Sequence, residues 1–391
     1  MPSDPPVLTD GVVTLRSHTI ADIDGLVAMG SDPEMARWTS VPVPYERHHA
    51  ERWVHEVAPA GWREGTAFGW AIEALDGGTR RFAGNIDIRT GPPPALGFAA
   101  APWARAHGLV VRAVRLATRW AFDVGGLPVV HWSSIAGHLA SWRVAHACGF
   151  AFHGDRRLSR PQRGALHDGW YASLRPGDEH APRTTWWPVP VLDGERVRLR
   201  AHTEADVPRI VQACSDEQAR YWLATLPHPY TEQTAREFVR SRRLGESLGQ
   251  SVTWAVADRD DDCLLANVAV FRLDDVVNPT GGEIGYWAHP DARGRGIVGE
   301  AVDLVVAHAF TPVPAGGLGR HRLRIGAAWS NAASRQVAER AGFTLAARYR
   351  QDGVIGYGEG RTLDDGAWYE RLATDGSSWA SRTSEVRSRR G

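Results

Sequence analysis

The sequence predicts an α+β fold of three layers, a mixed and mostly antiparallel sheet flanked by helices, and it predicts that fold twice. Three observations carry the prediction. First, one pattern recurs: Gly97-Phe98 is followed eight residues after the glycine by Arg105-Ala106-His107-Gly108-Leu109-Val110, and Gly285-Tyr286 at the same distance by Arg293-Gly294-Arg295-Gly296-Ile297-Val298. Second, short alternating apolar stretches follow one another before that pattern, as in an antiparallel meander. Third, amphipathic segments with start and stop signals flank them.

Each repeat opens on a strand, Val12-Val-Thr-Leu-Arg16 or Arg196-Val-Arg-Leu-Arg200. A helix follows from Thr19-Ile-Ala-Asp22 or Thr203-Glu-Ala-Asp206, which have the Thr-x-x-acid form of a helix start. The segments Ser31 to Trp38 and Ser215 to Trp222 repeat each other and lead into Pro-rich loops. A second helix runs through Trp53 or Phe238. Strands then begin at Trp70, Gly84 and Ala95, and at Trp254, Ala266 and Glu283. After the glycine-bearing turn comes a long helix, from Val111 to about Phe122 and from Gly299 to about Phe310. A strand and another helix follow, Ser141 to Ala147 and Ser334 to Ala341, each stopped by a glycine, Gly149 or Gly342, suited to a left-handed cap. The closing strands read Asp168-Gly-Trp-Tyr and Gly366-Ala-Trp-Tyr. The expected order is β-α-α-β-β-β-α-β-α-β. It divides the chain into a domain over 1–173, a Pro-rich charged linker over 174–190, a second domain over 191–374 and a disordered tail over 375–391.

Composition narrows the function. The 391 residues carry 45 basic and 45 acidic side chains, so no net field draws the chain to nucleic acid. All the basic ones are arginine, which reads as codon bias, although an acylating enzyme without lysine is also spared from modifying itself. Cys148, Cys214 and Cys263 are too scattered for a disulfide framework or a metal site and read as free thiols. The N-terminus lacks a signal peptide pattern, and no apolar run approaches the ~20 residues of a membrane span. A cytoplasmic protein without metal is the expectation, as monomer or homodimer.

A glycine-bearing turn that opens a helix presents backbone N–H groups at the positive end of the helix dipole, where phosphate oxygens bind. The literal G-x-G-x-x-G of Gly294, Gly296 and Gly299 suggests a dinucleotide fold. That reading needs an acidic residue about 20 positions on after a parallel strand, and here the region reads Leu318-Gly-Arg-His. The first copy also lacks the outer glycines, having Ala106 and Val111.

Arg-x-x-Gly-x-small after Glu283-Ile-Gly-Tyr286, followed by Asn331-x-x-Ser334 with Gly342-Phe343, resembles the GNAT superfamily of acyl-CoA-dependent N-acyltransferases, most nearly its ribosomal-protein alanine N-acetyltransferase branch. The resemblance covers nearly all of both repeats and departs at Val298 and Val110, where the family has Gly or Ala. It implies acetyl-CoA as donor, with pyrophosphate on Arg293, Gly294, Arg295, Gly296, Ile297 and Val298. Pantetheine would run as a false strand beside Tyr286, Trp287 and Ala288, and Asn331 would hold its amide. Arg105, His107, Gly108, Val110 and Ser141 are the first-copy counterparts. Glu283 is implied as the general base, the alternative being a solvent-facing strand carboxylate. Ser334 is implied as the acid for the leaving thiolate, the alternative being a helix cap. His138 takes the place of Asn331 in the first copy and is either a base or a surface group. Trp222 and Tyr230, with Trp38 and Tyr45, fall in the segment that lines the acceptor pocket in this family, or they pack helices on the sheet.

The resulting expectation is an acetyl-CoA-dependent N-acetyltransferase whose C-terminal copy acts on a primary amine, of a small molecule or a protein N-terminus, by direct transfer. Because Ala95 stands where the second copy has Glu283, the first copy is expected to be degenerate. Two alternatives differ in kind: an acyl-CoA-binding regulatory protein with little turnover, and a protein with two active domains for different acceptors.

Overall fold

In a computed structural model, which describes residues 4–375, the chain divides into two compact units, Met1–Arg183 and Thr184–Gly391. Of the tail expected over 375–391, all but Asp375 lies outside the described residues.

The first unit is an eight-stranded sheet in the order β1-β2-β3-β4-β5-β6-β8-β7. Its strands are β1 (Leu8–Thr9), β2 (Val13–Arg16), β3 (Ala67–Asp76), β4 (Thr79–Arg89), β5 (Ala95–Ala100), β6 (Val130–Ile135), β7 (Ala151–Gln162) and β8 (Ala165–Leu174). All neighbours are antiparallel except β5 and β6. Helices α1 (Ile23–Gly30), α2 (Pro33–Trp38), α3 (Arg47–Arg52) and α4 (Ala58–Glu64) precede the meander, and α5 (Leu109–Asp123) and α6 (Leu139–Ala147) follow it.

The second unit repeats this plan. Its strands are β9 (Leu192–Asp193), β10 (Val197–Arg200), β11 (Ser251–Asp258), β12 (Leu264–Phe271), β13 (Gly281–Ala288), β14 (Arg322–Ala328), β15 (Thr344–Ile355) and β16 (Thr362–Leu372), with β13 and β14 the parallel pair. Its helices are α7 (Val207–Ser215), α8 (Glu217–Trp222), α9 (Glu232–Ser247), α10 (Ile297–Phe310) and α11 (Ala332–Arg340). No helix of the described residues is long and apolar enough to cross a membrane.

The mixed sheet agrees with the sequence, and the departures have local causes. Strands β7 and β15 escape the pattern because bulges at Phe152/Gly154 and Leu345/Ala347 add residues that break the alternation of faces. The closing strands do not correspond as their shared Trp-Tyr suggests. Trp170 is 1% exposed in the core, whereas Trp368 is half-buried and donates its indole N–H to Asp352 at 2.7 Å. A one-residue slip of register exchanges the faces of a strand, so the two Trp-Tyr pairs are not equivalent. The long helices begin two residues earlier than expected, at Leu109 and Ile297, because Gly108 and Gly296 cap them directly. In the first unit the second helix is interrupted by a π turn, Trp53–Val57. Pro59, lacking an N–H, breaks the ladder there, and α9, with no proline, runs unbroken.

Each unit ties its first strand to its first helix with the same buried clamp. Arg16 donates to both oxygens of Asp22 at 2.8 and 2.9 Å, and Arg200 does so to Asp206 at the same distances. Both aspartates also accept the backbone N–H of the capping threonine, at 2.8 Å from Thr19 and 2.7 Å from Thr203. The expected linker is partly core: Trp187 is buried in the second unit and its indole donates to Gly249 O at 3.1 Å.

The two cores differ in one chemical respect. Trp62, Phe68, Trp70 and Trp120 form an aromatic cluster in the first unit, with ring centroids 4.9–5.4 Å apart. In the second unit the positions of Trp62 and Trp120 hold Glu246 and His308, both buried. Burial pushes the Glu246 carboxyl up to about 7, against the opposing pull of Arg243. The folded protein therefore holds this proton more tightly than the unfolded chain, and the stability it contributes below the ordinary carboxylate range is lost as pH rises through 7. Glu246→Gln is expected to stabilise the protein at pH 8 by about 3 kcal/mol and to make no difference near pH 4, read by denaturant unfolding at both values.

Candidate functional site

The parallel strands of each unit meet briefly and then part. In the second unit β13 and β14 pair only from Gly281 to Glu283, against Arg322 to Arg324. In the first, β5 and β6 share the single pair Ala95 and His131. Beyond these points β13 keeps β12 on one edge, so the backbone groups of its other edge, through Ala288, are free to pair with an extended ligand. Glu283 sits where the strands separate.

The turn after β13 leads into α10 through Gly294 and Gly296, both left-handed at φ +70° and +76°. The first amides of a helix have no acceptor within it. Arg196 orients the turn: its guanidinium donates to Arg295 O at 2.6 Å and to Glu300 at 2.9 Å. With the turn's carbonyl held by Arg196, the amides at the helix start are left for an anion. Ile297 is buried and Val298 packs partly on the core, so both offer backbone only, and Val110 is likewise buried. The Arg293 guanidinium is engaged beside the turn. It pairs with Asp216 at 2.5 Å and donates to Gln218 at 2.8 Å, and Arg105 pairs in the same way with Asp32 at 3.0 Å. These arginines fasten the turn to the N-cap of α8 or α2. Arg295 donates to Asp291 O at 3.3 Å.

The first unit exchanges the charges of the brace. Arg112 of α5, at the helix position of Glu300, pairs with Asp10 at 2.8 Å, whereas Glu300 pairs with Arg196, two residues further along the opening segment. His107, Gly108, Arg112, Arg115 and Arg119 thus surround a recess of about 500 Å³ at the start of α5. No residue-by-residue match reveals the pair, because the helix member changes sign and its partner moves by two positions.

Glu283 is buried, with a side chain 12% exposed. Arg272 lies 3.1 Å and Arg324 4.0 Å from its Oε2, yet that oxygen accepts no hydrogen bond. Burial raises its proton affinity and the two arginines offset part of that rise. A solvent-facing carboxylate is thereby ruled out. Ser334 is bonded in a way the sequence gave no sign of: its Oγ lies 2.9 Å from the hydroxyl of Tyr286, whose own proton affinity burial pushes up to about 12. Asn331, not Ser334, caps α11, its Oδ1 accepting the Ser334 N–H at 3.1 Å and leaving its amide nitrogen available. Ala288 packs on the core beside Tyr286, whereas the Trp287 ring lies on the opposite face of β13 with Phe238, centroids 6.5 Å apart. Tyr230 is buried beside Cys214 in that helical cluster. Trp222 is half-buried, edge-on to Tyr221 at 4.7 Å.

The first unit holds an open cavity of about 680 Å³ where its strands part, lined among others by Trp38, Tyr45, Trp53, Asp87, Trp132, His138 and Ser141. His138 stacks flat on Trp38 at 4.4 Å, and burial lowers its pKa to about 4, so it is neutral near pH 7. Ser141 Oγ accepts the Trp132 indole N–H at 3.0 Å and keeps its own proton to donate. The absence of a carboxylate at Ala95 does not make the unit acid-free. Asp87, on β4, reaches the same opening. Its signal was present in the sequence as the one acidic residue of the stretch Phe82-Ala-Gly-Asn-Ile-Asp-Ile88. Among the described residues no group of three or more His, Cys, Asp or Glu side chains could hold a metal.

Comparison with known proteins agrees with this architecture. A family profile described as "Acetyltransferase (GNAT) domain" matches the chain twice, over residues 13–151 and 196–344. Among solved structures, the chain is similar to a GNAT-family acetyltransferase from Bacillus anthracis at 17% identity, over 48% of this chain and 100% of that one, with a TM-score of 0.40. It is similar to a ribosomal-protein-S5-alanine acetyltransferase from Vibrio fischeri at 15% identity, over 48% and 98%, with a TM-score of 0.41. A putative ribosomal-protein-serine acetyltransferase from Vibrio cholerae matches at 20% identity, over 48% and 99%, with a TM-score of 0.38. No curated protein matched.

The turn of the first unit carries a local cost. Ala106 adopts φ +63°, where the second unit has Gly294. A residue with a Cβ is disfavoured in that conformation by about 1–2 kcal/mol, less the extra chain entropy of glycine. Ala106→Gly is expected to stabilise the protein by roughly 0.5–1 kcal/mol, measured as a shift of the denaturant midpoint at constant slope.

Proposed function

The chain belongs to the acetyltransferase (GNAT) family, and on that basis we propose that its C-terminal unit transfers the acyl group of acetyl-CoA directly to a primary amine within a ternary complex. The observation that carries this reading is the coincidence, in one unit, of the opened edge of β13, the two left-handed glycines at the start of α10, and a buried carboxylate at the point of strand separation. The open edge suits the amides of pantetheine, and the helix start suits its pyrophosphate.

Direct attack on a thioester needs a neutral amine, a polarised carbonyl and a proton for the departing thiolate. Glu283 takes the amine proton. Its burial suits it to that task, because a carboxylate of ordinary acidity is a weak base. Backbone N–H groups along the free edge of β13 polarise the carbonyl. Ser334 delivers a proton to sulfur, and Tyr286, 2.9 Å away, restores it through the shared hydrogen bond; Tyr286 regains a proton from solvent and Glu283 gives the amine proton up to solvent, so each group ends as it began. The nitrogen–carbon bond forms as the carbon–sulfur bond breaks, with no acyl-enzyme. The acceptor is a primary amine, on a small molecule or at a protein N-terminus.

Thiol release from acetyl-CoA with a panel of amines tests the proposal. Glu283→Gln is expected to lower kcat/KM by about 10²–10⁴-fold. It should also remove the fall in rate at low pH that comes from protonating Glu283, a fall centred above the ordinary carboxylate range. Ser334→Ala and Tyr286→Phe should each lower kcat more than they raise KM, because both act on the leaving group. Unchanged rates in Glu283→Gln would sink the assignment of the base.

A further inference from the structure

We infer that the N-terminal unit holds an acceptor site of its own, a cavity that takes a primary amine borne on an aromatic or flat apolar body, with Asp87 as the group that receives the amine's proton. The site lies outside the C-terminal machinery and depends on the family reading only for its acyl donor.

The cavity exists because one strand position differs between the units. Ala99 of β5 pairs with Asn85, and Trp287 of β13 pairs with Asn267, so the two occupy the same place in their sheets. In the second unit the indole of Trp287 lies against Phe238 and the cluster of Val207, Ile210 and Tyr230. In the first, a methyl group stands there, and the space is part of the 680 Å³ cavity. That volume falls in the range of small-molecule sites, about 300–1,000 Å³.

A second exchange supplies the charge. Asp87 pairs with Gly97, whereas its counterpart Ala269 pairs with Gly285. A Cβ at Gly97 would lie 2.6 Å from Asp87 Oδ1, so the glycine is what lets the carboxylate rest beside β5. At Gly285 the same space is approached by the ring of Phe271. The Asp87 side chain is 16% exposed, and Arg89 Nε stands 3.6 Å from its Oδ2. Burial raises its proton affinity, with Arg89 opposing. Trp38, Tyr45, Trp53 and Trp132 supply aromatic surface, which attracts a cation as well as a flat apolar body. Arg115 and Arg119, in the recess at the start of α5 beside the Arg112–Asp10 pair, add positive charge near the turn.

The chemistry balances on these groups. The ammonium yields one proton to the Asp87 carboxylate. The freed nitrogen attacks the thioester carbonyl, the nitrogen–carbon bond forms and the carbon–sulfur bond breaks. The second proton shed by nitrogen reaches the thiolate, giving amide and free thiol, and Asp87 returns its proton to solvent.

The test uses the full chain and tryptamine, with butylamine as the amine lacking an aromatic body. Calorimetry should show tryptamine binding at least about tenfold tighter than butylamine, and Ala99→Trp, which copies the residue of the second unit, should weaken it by about tenfold or more. Asp87→Asn should weaken it as well and lower tryptamine-dependent thiol release by about 10²-fold. Should Asp87→Asn fail to fold, Ala99→Trp decides the question alone. Tryptamine that fails to bind, or binds Ala99→Trp as well as wild type, overturns the proposal. The C-terminal assignment fails on a different result, turnover indifferent to Glu283→Gln, so the two failures are separable.

Discussion

The fold depends on a pairing that stops. An eight-stranded sheet with seven complete ladders would leave unpaired backbone groups only on its two edge strands, with none in its interior to offer a ligand. Here one of the seven, the parallel pair, is held for one residue in the first unit and three in the second. Past that point the strand carries peptide groups that water or a ligand must satisfy, because leaving them bare costs about as much as a lost hydrogen bond. The clamps of Arg16 with Asp22 and of Arg200 with Asp206 fix the first helix at the other end of the meander. The capped turns fix α5 and α10. Between these anchors the opening is kept by the framework.

Within that common frame the units have placed their acids differently. The second unit carries a carboxylate on β13 at the point of separation. The first carries it on β4, one strand inward, and leaves the facing positions small. Position-by-position comparison finds only loss at Ala95, since it looks for a carboxylate on the same strand. What the opening needs is a carboxylate within reach, and two strands can supply it. The space follows a similar rule, for the bulk of Trp287 and the smallness of Ala99 are alternatives at one point of the sheet.

Much of the fold was legible in the sequence for physical reasons. The meander, the long helix after the turn and the glycine stops follow from periodicity and caps, which are local. Strands β7 and β15 were not legible, because their bulges erase the alternation that marks a strand. The site was legible where backbone decides, at Gly294, Gly296 and Gly108, whose conformations only small residues adopt freely. It was illegible where partners decide. Arg293 and Arg105 read as unpaired charges until Asp216 and Asp32 are seen beside them. The burial of Tyr230 beside Cys214 is likewise set by packing that the sequence does not show. Ser334 reads as a lone hydroxyl until Tyr286 of β13 is found beside it.

The brace at the glycine turn sets a limit on how these units can be recombined. Arg196 with Glu300 and Asp10 with Arg112 are ion pairs of opposite sense made from the same position of the long helix to the opening segment. Moving α10 into the first unit would set Glu300 against Asp10, and moving α5 into the second would set Arg112 against Arg196. Either chimera would place like charges beside the turn. The opening strand and the long helix are thus a matched set that has to be inherited together, and a recombinant of the two repeats would have to break upstream of both or downstream of both.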